Sequence, residues 1–196
     1  PEASIECQEL SCHGCTADLR FLQRTQKPSV RGRIGRIKAV DLFCGCGGMS
    51  VGLKEAARRA HRALEVPLAI DSDPTAALTY KRNFPSARVI AADIRSLFDG
   101  RVGAQLTGTE EAVAAATGTV DVLLGGPPCQ GHSDLNNHTR RDDPRNDLYR
   151  VMARAAEVLQ AKVVIIENVV PVQWDKRGVV KATIRDLKRL GYTVDS

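Results

Sequence analysis

"IKAVDLFCGCGGMSVGL" occupies residues 37–53, and the order of its residue types decides the fold. A run of strand length, mostly apolar, breaks at Gly45, Gly47 and Gly48 and then continues with helical spacing. Glycines at a strand-to-helix junction permit a tight turn and close approach of a ligand to the backbone. The helix N-terminus behind them favours an anionic group. The spacing departs from G-x-G-x-x-G, because Ser50 stands where the third glycine belongs. A dinucleotide needs that spacing for its pyrophosphate, whereas a ligand without pyrophosphate does not.

The same alternation continues outward. Candidate strands are 37–43, 66–71, 87–93, 120–125 and 162–168, and their near-continuous apolar character predicts burial on both faces. Helical patterns lie at 49–64, 74–83, 110–116 and 148–160, with an inserted, Ala- and Gly-rich loop around 101–118. Alternating strands and helices predict an α/β fold, a doubly wound and mostly parallel sheet with ligands beyond the C-terminal strand ends. Asp71, Asp93, Cys129 and Glu167 all fall at such ends. Asp71 can bind ribose hydroxyls there or cap the helix that follows "SDP".

The chain of 196 residues is 43% hydrophobic and 26% charged, long enough for one substantial core. No apolar stretch approaches the roughly 18 residues of a membrane span. Six cysteines in a chain of this length do not make a disulfide framework, so a reducing, cytoplasmic setting is expected. The net charge of +5 is uneven: seven basic residues and no acid lie between Arg20 and Lys38. Arg140, Arg141 and Arg145 form a second basic knot. Both suit a polyanion or a solvated surface.

"GGPPCQ" at 125–130 follows the fourth strand, and "IENV" at 166–169 ends the fifth. With "DLFCGCGGMS" before them, in that order and at these separations, they resemble the first, fourth and sixth motifs of the DNA (cytosine-5) methyltransferase family, over residues 37–196. The resemblance implies a Rossmann-like S-adenosylmethionine-dependent methyltransferase fold, with S-adenosylmethionine as methyl donor and double-stranded DNA as partner. It implies that Phe43 stacks on the adenine and that Gly45 and Gly47 pass the methionine moiety, with Pro127 also at the cofactor. Asp71, beside Ser72, would take the ribose. Asp93 and Ile94 would flank the adenine, and Leu148 would cover its other side. Phe43 as a plain core aromatic is the alternative reading of its position.

Cytosine C5 is too weak a nucleophile to accept a methyl group unaided. Thiolate addition at C6 turns the ring into an enamine, which assigns Cys129 as nucleophile. Pro127 and Pro128 stiffen the backbone that carries it. Glu167 ends an apolar strand, where burial without a partner favours the protonated acid, suited to proton donation at N3. Asn168 would orient it or hold nearby backbone. The target carbon lies inside a base pair, so the base must be flipped out. Residues 131–145 then read as a mobile lid, and Gln130, Ser133, Arg140 and Arg141 as nucleic-acid contacts.

Residues 1–36 read as a basic N-terminal extension, and 37–196 as a partial catalytic domain. The family's Gln-x-Arg-x-Arg stretch, its target recognition region and its final helix are not found in the sequence. "LGYTVDS" reads as the start of a sixth strand, so the C-terminal part is expected to be incomplete, with the target recognition region on a complementing chain or a missing C-terminal region. Cys7, Cys12, His13 and Cys15 are cramped for a zinc site and read as a loosely held arm. Methylation of DNA within a restriction–modification system is the leading reading. RNA cytosine methylation and a non-catalytic cofactor-binding subunit are the rivals.

Overall fold

The computed structural model describes residues 16, 19–20, 23–26, 35–128, 148–168 and 178–195. The chain divides into two compact units, 1–31 and 32–196. In the first, the Gln23 N–H donates to the Leu19 carbonyl at 2.9 Å, a helical turn. Cys7, Cys12, His13 and Cys15 lie outside the described residues.

The second unit is built on a parallel sheet. Its strands are β1 (Arg36–Leu42), β2 (Ala63–Asp71), β3 (Val89–Ala91), β4 (Val122–Gly125) and β5 (Val163–Ile166), in the order β3-β2-β1-β4-β5. Between them run α1 (Gly48–Arg59), α2 (Pro74–Asn83), a 3-10 turn (Ile94–Ser96), α3 (Gly108–Thr117) and α4 (Leu148–Leu159). Helix α5 (Val179–Arg189) follows β5. This is the doubly wound α/β arrangement that the sequence predicts, and its order reverses between β1 and β4, where such folds bind ligands.

Register aligns the strand ends. Ile90 pairs with Ile70, Ile70 with Leu42, Leu42 with Gly125 and Gly125 with Ile166. The residues just beyond this row therefore emerge at one edge of the sheet. The row rests on an alanine-rich helix: Met152, Ala153, Ala155 and Ala156 of α4 are fully buried against Val40, Leu42, Leu123 and Ile70. Gly125 suits this packing, since a methyl group there would displace the end of the Met152 side chain.

The structure corrects several sequence expectations. Helix α1 stops at Arg59 rather than reaching residue 64, because His61 takes a left-handed φ of 55° and β2 begins at Ala63. Strand β2 is longer than predicted and carries Pro67 in its interior. The β1–β2 register shifts there, from Lys38↔Glu65 to Val40↔Leu68, and the bulge accommodates the residue that lacks an N–H. Strand β5 is not covered on both faces: Val164 and Ile166 pack on the core, while Val163 and Ile165 are 50% and 43% exposed. Residues 192–195 form no sixth strand; instead the Tyr192 hydroxyl donates to the Ala161 carbonyl.

The inserted loop is fastened by one buried charge pair. Arg154 donates twice to Glu110, at 2.8 and 2.6 Å, and again to Glu157, Ala104 O and Gln105 O. Glu110 also accepts from the Gly100 and Thr107 N–H groups, the latter closing a capping box on α3. Arg154 is 2% exposed and Glu110 0%, and the guanidinium pulls the Glu110 carboxyl down to about 2. Arg154→Met should destabilise the fold by about 3–5 kcal/mol, because it strands Glu110 without its partner. Urea unfolding checks this. The wild-type contribution is present above the ordinary glutamate range and is lost as pH falls toward 2, so the difference between the two proteins should shrink in acid.

Candidate cofactor and catalytic site

The turn after β1 is shaped by three left-handed residues, Phe43 (φ 58°), Gly45 (51°) and Gly47 (95°). Phe43, which is half-buried, adopts this conformation at a cost of order 1 kcal/mol. Gly47 caps α1 without a side-chain hydrogen bond, and the first helical turn holds no acid. A Cβ at Gly47 would lie 3.0 Å from the Phe84 ring and 3.1 Å from Tyr80, so tight packing and the left-handed φ together favour glycine there. At Gly45 the same position meets nothing within 4 Å and is open to a ligand.

Asp71 ties this turn to β2. Its Oδ2 accepts the Gly45 N–H at 2.7 Å, and its Oδ1 accepts the Asp73 N–H at 2.8 Å. The capping acid of the next helix is Asp73, which accepts from Thr75 and Ala76. Each Asp71 oxygen keeps capacity for a further donor. Ser72 is exposed between the two acids. Asp93 caps the 3-10 turn and holds Arg95 at 2.5 Å, and the Arg95 hydrogen bonds keep its carboxyl below the usual carboxylate range. Ile94 and Leu148 are buried together in the main core cluster.

Across the switch point, the chain leaves β4 through Gly126, Pro127 and Pro128. Asn168 Nδ2 donates to the Pro127 carbonyl at 2.5 Å, and the Glu167 N–H donates to Gly125 O at 3.0 Å. A Cβ on Gly126 would stand 3.4 Å from Glu167 Oε2, so the carboxylate lies over this glycine. Glu167 and Asn168 thus converge on the loop that leads to residue 129. Glu167 is exposed, not buried in the strand as expected, because β5 ends at Ile166. Cys129, Gln130, Ser133, Arg140 and Arg141 lie outside the described residues.

Sequence reasoning missed a polar chain beneath the turn. Ser50 Oγ donates to Asp41 Oδ2 at 2.6 Å and lies 2.7 Å from the Tyr80 hydroxyl. Asp41 is 1% exposed, and Ser50 and Tyr80 are 0%. Burial pushes the Asp41 carboxyl up to about 6, against the Ser50 and Tyr80 hydrogen bonds and with the help of the Asp71 charge. Burial also raises the Cys44 thiol, followed by the charges of Asp41 and Asp71. The signal was available: an acid inside "AVDLF" interrupts an otherwise apolar strand core.

A carboxyl raised in the folded state stabilises fully below its unfolded pKa, and that contribution fades as pH rises through about 6. Asp41→Asn keeps an acceptor for Ser50 and removes the buried charge. The variant should be more stable than wild type at pH 8, by up to about 3 kcal/mol, with the advantage vanishing near pH 4. Thermal unfolding across pH checks this.

Comparison with known proteins agrees with this geometry. Residues 37–196 match the C-5 cytosine-specific DNA methylase family. The type II methyltransferase M1.BsuMI of Bacillus subtilis is 38% identical over 178 residues, covering 91% of this chain and 42% of that protein. The type II methyltransferase M1.HphI of Haemophilus parahaemolyticus is 34% identical, covering 79% of this chain and 38% of its own length. The chain therefore spans about two fifths of these relatives. Among solved structures, a prophage-encoded E. coli protein described as a DNA modification methyltransferase superposes with a TM-score of 0.59 at 26% identity, covering 78% of this chain and 38% of that one. With its glycine turn, its Pro127 loop and its family match all on one sheet edge, the chain belongs to the C-5 cytosine-specific DNA methylase family.

Proposed function

We propose that this chain is the donor-binding and catalytic portion of an enzyme that methylates C5 of cytosine in double-stranded DNA, acting in the cytoplasm as the modification arm of a restriction–modification system. One observation carries the reading. The turn held by Asp71 follows β1 and the loop held by Asn168 follows β4, so both leave the C-terminal ends of neighbouring parallel strands at the switch point.

The turn fits S-adenosylmethionine. The space at Gly45 is open, the α1 N-terminus has no side-chain cap to compete for a carboxylate, and Asp71 can still accept from a ribose diol. Phe43, Asp93, Ile94 and Leu148 would enclose the adenine. Asp71 and Ser72 would hold the ribose, and Gly45, Gly47 and Pro127 would line the methionine portion. When bound, S-adenosylmethionine supplies a methyl group on a positively charged sulfur.

Residues of this chain do the remaining work. The Cys129 thiolate adds to C6 of the flipped cytosine while Glu167 gives a proton to N3, so negative charge does not accumulate on the ring. The resulting enamine makes C5 nucleophilic toward the methyl carbon. Loss of the C5 proton to a base then expels the thiolate and restores the ring. Asn168 fixes the Pro127 carbonyl, two residues before the sulfur, and so positions the loop. Gln130, Ser133, Arg140 and Arg141 contact the flipped strand and its phosphates. We further propose that the base-reading region lies in polypeptide beyond these 196 residues, as a C-terminal region or a complementing chain, a reading supported by the greater length of the relatives.

Cys129→Ser should abolish methyl transfer and leave S-adenosylmethionine binding intact; an active variant overturns the mechanism. Glu167→Gln should lower the transfer rate by about 10²–10⁴-fold. Both are read by tritiated methyl incorporation with the complementing region present. Duplex DNA should be the substrate at every salt concentration tested, and preferential transfer to transfer RNA would redirect the assignment. Without the complementing region, DNA binding and transfer should both be weak.

A further inference from the structure

We propose that Asp41 is a positioning residue whose charge, held beneath the glycine turn by Ser50 and Tyr80, makes this site prefer a cationic sulfonium donor to its uncharged thioether product. The proposal rests on the donor reading above and deepens it.

The geometry is a hydrogen-bonded chain through three elements. Asp41 lies in β1, Ser50 in the first turn of α1 and Tyr80 in α2, and all three side chains are buried. With the carboxylate ionised, the protons align in one direction: Tyr80 donates to Ser50, and Ser50 donates to Asp41. Protonation of Asp41 places a donor at the end of the chain and removes the fixed direction of that order. The chain therefore links the charge at residue 41 to the helix start from which the turn hangs.

No cation answers this carboxylate among the described residues. The titratable groups that act on it or respond to its charge are Tyr80 from α2, Asp71 from the tip of β2 and Cys44 from the turn, all of them acids. Two carboxylates thus bracket a turn that carries no basic side chain between Phe43 and Ser50. A buried charge without a partner is costly, and an asparagine would supply the same acceptor more cheaply. The arrangement makes sense where the missing positive charge comes with the ligand. Methyl transfer moves the methyl carbon to C5 and leaves the C–S electron pair on sulfur, so the sulfonium becomes a neutral thioether. The attraction then acts on the donor and lapses with the product. Because burial pushes the Asp41 carboxyl up to about 6, the preference should switch within the accessible pH range.

Isothermal titration of the 196-residue chain with S-adenosylmethionine and with S-adenosylhomocysteine, from pH 5 to pH 8, tests this. The ratio of donor to product affinity should rise about threefold or more across that range, as expected for a unit charge at intermediate distance and effective dielectric. In Asp41→Asn the ratio should be flat and equal to the wild-type value at pH 5. In the free protein, the Asp41 carboxyl carbon resonance should titrate with a midpoint near 6. Tyr80→Phe, which removes a hydrogen bond that favours ionisation, should move that midpoint upward. Two ligands that bind with a pH-independent ratio, in wild type and variant alike, overturn the proposal. Failure of both ligands to bind wild type at any pH overturns the donor reading, and this proposal with it.

Discussion

A single hydrogen bond, from the Gly45 N–H to the Asp71 carboxylate, joins the turn after β1 to the tip of β2, and the glycine turn is arranged around it. The sheet makes the bond possible: Leu42 stands opposite Ile70, so the residues just beyond them emerge side by side. The turn itself is built from left-handed residues, two of them glycines, that would otherwise be free to sample many conformations. Asp71 fixes one side of it. The rings of Tyr80 and Phe84, stacked with centroids 4.9 Å apart, close on Gly47 from the other.

The loop after β4 is held by comparable means on the far side of the switch point. Met152 fills the space that Gly125 leaves by lacking a side chain, which seats the end of β4 directly on α4. Asn168 then grips Pro127, and Glu167 lies over Gly126. Behind α4, the Arg154–Glu110 pair locks the inserted loop against the same helix. Each of the two turns therefore combines backbone placed by sheet register with one side chain that clamps it.

Much of this was legible in the sequence because parallel strands buried on both faces are written as apolar runs, and turns as glycine and proline. The helix at 74–83 was read to the residue, since Asp73 and Pro74 mark its start. The end of α1 was not, because His61 adopts a left-handed conformation that no local pattern announces. Tertiary partners stayed invisible for a different reason. That Ser50 and Tyr80 meet Asp41, or that Arg154 meets Glu110 across 44 residues, depends on which helix faces lie together. Glu167 shows the opposite error: apolar neighbours in sequence implied burial, yet the strand stops one residue earlier.

Strand β5 carries a further consequence. Among the described strands it pairs only with β4, and its outer face offers Val163 and Ile165 to solvent. β-branched side chains beside a row of main-chain donors and acceptors are a template on which another extended segment can add. Lys162 at its start and Glu167 at its end are the flanking charges that oppose such growth, and Lys162 is already engaged by Asp121 at 2.7 Å. Among the described residues, this border of the sheet is where β-branched side chains and the main chain of an outermost strand meet solvent together.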